Sequence, residues 1–337
     1  MPRTAVPRRA SIADVAQVAG VSVGTVSNVL NRPGRVSDST RTRVEAAIAE
    51  LDFVPNGPAR QLRVGTTTTA GAVVPDIANP FFTAAAQALQ HRLAQDDWTL
   101  MLAASDDDAE AEARVLRLFE QHGLQGVAVV PAGDDVSHLA RLAERAVAVV
   151  LLDRPSPVET LSSVAVDDVA GGRLAAEHLL ALGHERIVLL NGPHSVRQCA
   201  DRHAGVVAAL VAAGRDPEVA LEEITVRLDA SGGEAGAEAL LARAERPSAV
   251  FCVNDLVALG VLRTLRRSGV SVPRDVAVVG YDDVSFAAEL TVPLTSVRQP
   301  GHDLGRTAAE LLLRGPGAAP QQVVFQPELV VRDSSGR

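Results

Sequence analysis

Residues 12–31 read IADVAQVAGVSVGTVSNVLN, and this stretch decides what the front of the chain is. Ile12, Val15, Ala16 and Ala19 recur at steps of three, four and seven, which puts them on one face of a short helix. Gly20 then interrupts, and a glycine at that point supplies the left-handed backbone that ends a helix. Ser22 stands ready as the N-cap of a second helix that carries Val26, Val29 and Leu30 inward. Two short helices meeting through a tight turn form a helix-turn-helix, whose second helix lies in the DNA major groove. A plain helical hairpin has the same outline. The outward residues separate the two readings: Ser22, Thr25, Ser27 and Asn28 are short and polar, suited to phosphates and base edges.

A third amphipathic helix, capped near Ser37, offers Val44, Ala47, Ile48 and Leu51, so that three helices can close a minimal core. The segment 55–65, PNGPARQLRVG, then reads as a short helix with Asn56 as N-cap, Pro58 in its first turn, and Ala59 and Leu62 on one side. Charge supports a nucleic-acid role for this end alone. Residues 1–65 hold nine Arg against five acidic residues, a surplus of four, whereas the whole chain is at −9, which leaves −13 for the remainder. A basic head on an acidic body touches phosphates at one end and is repelled elsewhere. Residues 1–10 form a basic arm in which Arg3, Arg8 and Arg9 serve either phosphate contact or solubility.

The chain of 337 residues is long enough for two or three domains, and 47% hydrophobic with 22% charged residues marks a well-cored globular protein. No stretch has the apolar length of a membrane span, and MPRTAVPRRAS lacks the apolar run of a secretory signal, so a cytoplasmic location is expected. Cys199 and Cys252 are far apart and form no CxxC pair; Cys252, inside AVFCVND, is expected to be buried, and no disulfide is expected. The eight histidines show no HxxxH or HExxH spacing, so neither a metal nor a cofactor is assigned.

After VGTTTT the pattern alternates apolar strands with amphipathic helices: AGAVVP, TLMLAAS, GVAVVP and VAVVLLD are strands separated by helices, and the rhythm restarts after 163–166. RIVLLNG, EEITVR, AVFCVND and DVAVVGYDD are the strands of a second, similar half. Such alternation implies α/β lobes with doubly wound parallel sheets. Ligands of these sheets sit at the carboxyl ends of the strands. Asn79, Phe81 and Phe82 follow the first strand, and Asp153 with Arg154, Asn254 and Asp282 end others. Arg202 opens a helix, and Gln299 follows the strand SVRQP. Alternatives stay open at each position: Asn79, Asp153 and Asp282 suit helix caps or turns, Phe82 suits a core, and Arg154 and Arg202 suit ion pairs with acids such as Asp153 or Asp201.

Three blocks, DVAQVAGVSVGTVSNVLN, VSDSTRTRVEAAIAELDFVPN and ARQL, stand in the order and spacing of the lactose-repressor (LacI/GalR) type of bacterial transcription regulator, which the chain resembles over residues 11–333. The resemblance implies an all-α head with a three-helix DNA-binding domain at 11–54, a hinge helix and linker at 55–66, and a periplasmic-binding-protein-like effector and dimerisation domain at 67–333. Its first lobe is expected at about 67–164 and 297–322, its second at about 165–296 and 323–333, with three crossings between them. By the same resemblance Ser22, Thr25, Ser27 and Asn31 hold phosphates, and Val23, Gly24 and Asn28 occupy base-reading positions. Asn56, Ala59, Leu62 and Arg63 belong to the hinge contacts, with Leu62 wedged into the minor groove of a palindromic operator. Many relatives carry Arg where this chain has Asn28, which favours adenine over guanine, and Gly24 has no side chain to read with.

Relatives that sense sugars imply an effector site of Asn79, Asp153, Arg154, Arg202, Asn254, Asp282 and Gln299, which offer donors and acceptors to hydroxyls, with Phe81 and Phe82 facing a ring. The expected function is a repressor of carbohydrate-utilisation genes released from its operator by a monosaccharide, with a metabolite-co-repressed regulator (a purine, for example) as the alternative. A homodimer is expected, since two half-sites require two readers and no heptad run follows VVRDSSGR. An enzyme on the same fold lacks support, because PDIANP replaces a glycine-rich phosphate loop and no GxSxG elbow occurs. A periplasmic sugar carrier leaves residues 11–65 without a role, and an architectural DNA protein leaves the acidic body without one.

Overall fold

The computed structural model describes residues 10–53 and 68–336, and the chain divides into two units between Thr67 and Thr68. The first unit holds α1 (Ile12–Ala19), α2 (Val23–Asn31) and α3 (Asp38–Glu50). Ser11 caps α1 reciprocally with Asp14: the Ser11 N–H donates to the carboxylate at 2.7 Å and the Asp14 N–H donates to the Ser11 hydroxyl at 3.3 Å. Gly20 ends the helix at φ 63°, the left-handed conformation that the sequence requires of it. Val15, Val26 and Val44, one from each helix, are fully buried, and Ala16, Ala19, Val29, Ala47 and Phe53 complete the core. Phe53 joins this core from beyond the end of α3, outside the periodic pattern of the helices.

The second unit is built from two six-stranded sheets. Strands β1 (Thr69–Val74), β2 (Thr99–Ala104), β3 (Gly126–Val129), β4 (Ala148–Leu152) and β5 (Ser162–Val166) lie in the first, joined by β11 (Gln322–Phe325), in the order β11-β5-β4-β3-β1-β2. All its pairings are parallel. Helices α4 (Pro80–Ala94) and α12 (Gly301–Leu313) cover one face with Leu89, Leu93, Leu304 and Leu312; α5 (Ala109–Gln121) and α6 (Ser137–Glu144) cover the other with Leu116, Phe119 and Leu139. The second sheet takes the order β12-β10-β9-β8-β6-β7, from β6 (Ile187–Asn191), β7 (Leu221–Thr225), β8 (Ala249–Cys252), β9 (Ala277–Asp282), β10 (Thr295–Arg298) and β12 (Glu328–Val330). Only β12 runs antiparallel there. Helices α7 (Asp168–Ala181) and α8 (Arg197–Ala212) pack on one face; α9 (Pro217–Ala220) is a single turn; α10 (Ala230–Leu241) and α11 (Asp255–Arg267) pack on the other face. Buried on both sides, the central strands read as unbroken apolar runs.

The chain crosses between the sheets at Asp167, at Gln299–Pro300 and at 326–327. Each crossing falls two to four residues beyond the boundary expected from the sequence, because β5, β10 and β11 each stay whole in one sheet. Hydropathy cannot show this, since a buried strand looks the same whichever sheet it joins.

Helices α7 and α8 touch backbone to backbone. A Cβ on Gly172 would lie 2.1 Å from the Arg202 carbonyl oxygen, and one on Gly205 would lie 2.1 Å from that of Val169. Neither obstacle is a side chain that can swing away, so Gly205→Ala must push the helices apart despite its better helix propensity. The substitution is expected to cost the second unit a net 1–3 kcal/mol, or about 2–4 °C of melting midpoint per kcal/mol. Calorimetric melting measures it; an unchanged or raised midpoint would contradict the tight crossing.

Candidate functional site

On the head, the reading side of α2 is fixed by what its opposite side buries. With Val26 and Val29 in the core, Ser22, Val23, Gly24 and Asn28 stand exposed, and Val23 keeps 43% of its surface. Ser22 caps the helix by accepting the Thr25 N–H at 3.1 Å, and the two hydroxyls lie 2.9 Å apart. A Cβ on Gly24 would meet nothing closer than the Ser22 hydroxyl at 3.6 Å, so packing does not demand glycine at this exposed position. Thr25 and Ser27 are half-buried, Asn31 ends the helix, and Arg32, Arg35 and Arg43 add exposed positive charge. The hinge residues Asn56, Ala59, Leu62 and Arg63 lie outside the described residues.

In the second unit a cleft of about 770 Å³ opens where the carboxyl ends of both sheets face each other. Of the residues expected there, Asn79, Phe81, Phe82, Asp153, Arg202, Asn254, Asp282 and Gln299 line it. Asn79 and Asn254 are N-caps as well, each accepting a backbone N–H from its own helix, at 2.9 Å from Phe81 and 2.8 Å from Val257. Phe81 is buried in the core and meets the half-buried Phe82 edge-on, with ring centroids 5.2 Å apart.

Arg202 is 5% exposed and occupies the base of the second lobe's wall. Its Nε donates to Asp168 at 2.8 Å, an NH group donates to the Val253 carbonyl at 2.6 Å, and the guanidinium lies 3.6 Å above the centre of the Tyr281 ring. The Tyr281 hydroxyl donates to the same Asp168 oxygen at 2.8 Å. Burial works against the charge on Arg202, but Asp168, Tyr281, Asp282 and Asp153 outweigh it and raise the pKa. Burial raises the pKa of Asp168, and Arg202 opposes the rise.

Two carboxylates bridge the lobes. Asp153, at the end of β4 and at φ 60°, accepts Gln198 of α8 at 2.9 Å on both its carbonyl and its Oδ2. Asp282, at the end of β9, accepts Gln299 Nε2 at 2.7 Å and is also hydrogen-bonded by Asn79. Burial, reinforced by the charge of Asp168, holds Asp153 well above the usual carboxylate range. Asp282 is pushed up to about 6, chiefly by burial, with Arg202, Gln299 and Asn79 pulling the other way. Two acceptors on this wall, Asp153 Oδ1 and Gln299 Oε1, are buried and find no donor among the described residues.

Arg154 departs from the expectation. It does not line the cleft; its guanidinium donates to the Gly133 carbonyl at 2.7 Å and pairs with Asp134 at 3.0 Å. Beyond the end of β4, Asp153, with its left-handed backbone, lines the cleft and Arg154 does not. Arg154 instead fixes the loop after β3, which lines the cleft at Val130, Pro131 and Ala132; Glu112 holds the same loop through the Ala132 N–H at 2.7 Å. The cleft also receives Gln198, which sits four residues before Arg202 on the same face of α8, and Asp106 and Asp107 after the end of β2. The strand-end rule reaches the two aspartates but not a residue within a helix.

A head with an exposed polar recognition helix, joined to a two-lobed module with a polar cleft, is the layout of a ligand-responsive DNA-binding regulator. Residues 11–56 match the model of bacterial regulatory proteins of the lacI family, and residues 176–335 match that of the periplasmic binding protein-like domain. The ribose operon repressor of Bacillus subtilis (strain 168) is 36% identical over 304 residues, spanning 90% of this chain and 91% of that protein. Among solved structures, the transcriptional regulator CelR–cellobiose complex matches 97% of this chain and 100% of its own, at 34% identity and a TM-score of 0.71. The lac repressor dimer bound to operator and the anti-inducer ONPF matches 98% and 100%, at 30% identity and a TM-score of 0.82. The chain belongs to the LacI family of bacterial transcription regulators, and it is not an enzyme. Among the described residues no helix is long and apolar enough to cross a membrane.

The raised pKa of Asp282 has a sign for stability. Unfolded, the group titrates near 3.8; folded, it takes its proton near 6, so its contribution is greatest below about 4 and is lost as the pH rises through about 6. The full effect is at most about 3 kcal/mol. Asp282→Asn is expected to reduce the fall in urea midpoint between pH 5 and pH 7.5; equal falls in both proteins would show that Asp282 does not titrate there.

Proposed function

We propose that this regulator is a homodimeric repressor of carbohydrate-utilisation genes, released from a pseudo-palindromic operator when a small neutral sugar enters the cleft. The observation that carries the sugar assignment is the pair of unpaired acceptors, Asp153 Oδ1 and Gln299 Oε1, on the cleft wall. A buried acceptor without a donor costs roughly 1–3 kcal/mol, and a polyhydroxylated ligand supplies the missing O–H groups. Arg202 offers cationic donors, while Phe81 and Phe82 offer apolar surface to the C–H face of a ring. Besides Asp153 and Asp282, the aspartates Asp76, Asp106, Asp107 and Asp229 line the cleft against Arg202 and Arg227. That excess disfavours phosphorylated or carboxylated ligands. The sugars named in the relatives, ribose and cellobiose, are both neutral polyols.

On the DNA side, Ser22, Thr25, Ser27 and Asn31 are assigned to phosphates and Val23, Gly24 and Asn28 to bases; Asn56, Ala59, Leu62 and Arg63 are assigned to the hinge contacts. Two half-sites need two such heads, hence the homodimer. Ligand and operator then affect each other's affinity by the same factor.

Operator binding followed by fluorescence anisotropy at fixed salt, across a panel of neutral sugars and their phosphates, tests the effector assignment. A neutral sugar is expected to weaken binding at least tenfold, and Asp153→Ala to abolish that response while leaving operator affinity intact. Response only to an anionic ligand, or to none, would overturn the sugar reading without touching the DNA reading.

The operator itself comes from selection out of a random pool. Asn28 is expected to select adenine at one position of each half-site, and Asn28→Arg to shift that position to guanine, with a discrimination of about 1–3 kcal/mol. Guanine selected by both proteins removes Asn28 from base reading.

A further inference from the structure

We propose that His194, His203 and Glu223 form a binding site for a divalent transition metal of the zinc class, on the flank of the second lobe beside the cleft. The three side chains come from three elements: the loop after β6, the middle of α8, and the edge strand β7. His194 Nε2 lies 2.8 Å from Glu223 Oε1, His203 Nε2 lies 3.7 Å from Glu223 Oε2, and all the ligand atoms fall within 4.8 Å of one another. A tetrahedral ion bound at about 2.0–2.1 Å needs its ligand atoms about 3.3 Å apart. The observed spacings bracket that value, so small side-chain rotations bring the three into place.

The donor set fixes the class of ion. Two imidazole nitrogens and one carboxylate suit zinc, cobalt or nickel, whereas magnesium and calcium take oxygen. A fourth position stays open, because His194 has half its side chain exposed and solvent can reach the ion. The carboxylate is already oriented from behind: Asn191 donates to Glu223 Oε1 at 2.6 Å and to the Cys199 carbonyl at 3.1 Å, which holds the amide, and with it the carboxylate, in place. The two ring centroids lie 4.9 Å apart with their planes tilted by 54°, an approach that an ion bound by both would stabilise. Spacing along the sequence gives no hint of this cluster, since strand pairing and helix packing assemble it. Its position gives it a consequence. His194 lies between Pro193 and Ser195, both on the cleft wall, so an ion ties that wall to α8 and β7.

Calorimetric titration of zinc chloride into the metal-free full-length protein tests the site. One ion per chain is expected, with no binding of magnesium, and His203→Ala and Glu223→Gln are each expected to weaken zinc at least tenfold. His138→Ala, which removes the histidine of the separate His138–Glu112 pair, is expected to leave zinc binding unchanged. Zinc should also raise the melting midpoint of the parent protein and not of the two ligand variants, whose own cooperative melting without zinc establishes that they are folded. Absence of zinc binding, equal affinity in the parent and both ligand variants, or loss of binding in His138→Ala instead would overturn the assignment.

Discussion

Arg202 carries its charge at 5% exposure, and each element that meets it at the base of the cleft supplies something that keeps the charge there. Asp168, the first residue of α7 after the chain has crossed between the lobes, accepts from it; the Val253 carbonyl after β8 accepts from it; the Tyr281 ring of β9 lies beneath it. A buried ion pair of this kind adds little net stability over an apolar replacement, but removal of one partner leaves a charge stranded at a cost of about 3–5 kcal/mol. Arrangement is therefore what the cluster enforces. It ties the start of α7, the second turn of α8 and the ends of two strands to one point, and so sets where the second lobe's wall begins. Gly171 and Gly172 belong to the same constraint: a Cβ on Gly171 would sit 2.1 Å from the Tyr281 hydroxyl oxygen, and one on Gly172 equally close to the Arg202 carbonyl.

The head was legible in the sequence nearly residue by residue, because its signals are local. Gly20 breaks a helix where a left-handed residue is required, Ser22 caps the next, and apolar steps of three and four place Val15, Val26 and Val44 inside. Phe53 escaped because it follows the end of α3 and belongs to no periodic pattern. The lobes were legible as strand–helix alternation, but their crossings were not. Sheet membership of β5, β10 and β11 depends on partners far away in sequence, which hydropathy does not report.

The cleft was legible in proportion to how well the strand ends predict direction. Asp153 and Asp282 face it because each ends its strand in a left-handed conformation, at φ 60° and 105°, that turns the chain across the mouth. Arg154 did not follow, since it takes the opposite side and holds a loop from behind. Gln198 and the cluster at Glu223 lay beyond any strand-end rule; a helix face and an edge strand place them, and only tertiary packing brings these together.

The contacts across the cleft also bear on how a ligand can act. Asp153 with Gln198, and Asp282 with Asn79, join residues of the first lobe to residues of the second, so buried polar bonds hold the lobes together. These bonds leave work undone, because Asp153 Oδ1 and Gln299 Oε1 have no donor among the described residues and both aspartates are held above the ordinary carboxylate range. A ligand that only filled space would relieve neither deficit. One whose hydroxyls donate to these oxygens favours the arrangement that presents them to it. Differential affinity of that kind is the sole means by which a ligand shifts a conformational equilibrium. The polar mismatch in the cleft is thus what gives a hydroxyl-rich ligand, on the proposed reading, the leverage to change how the molecule holds its lobes.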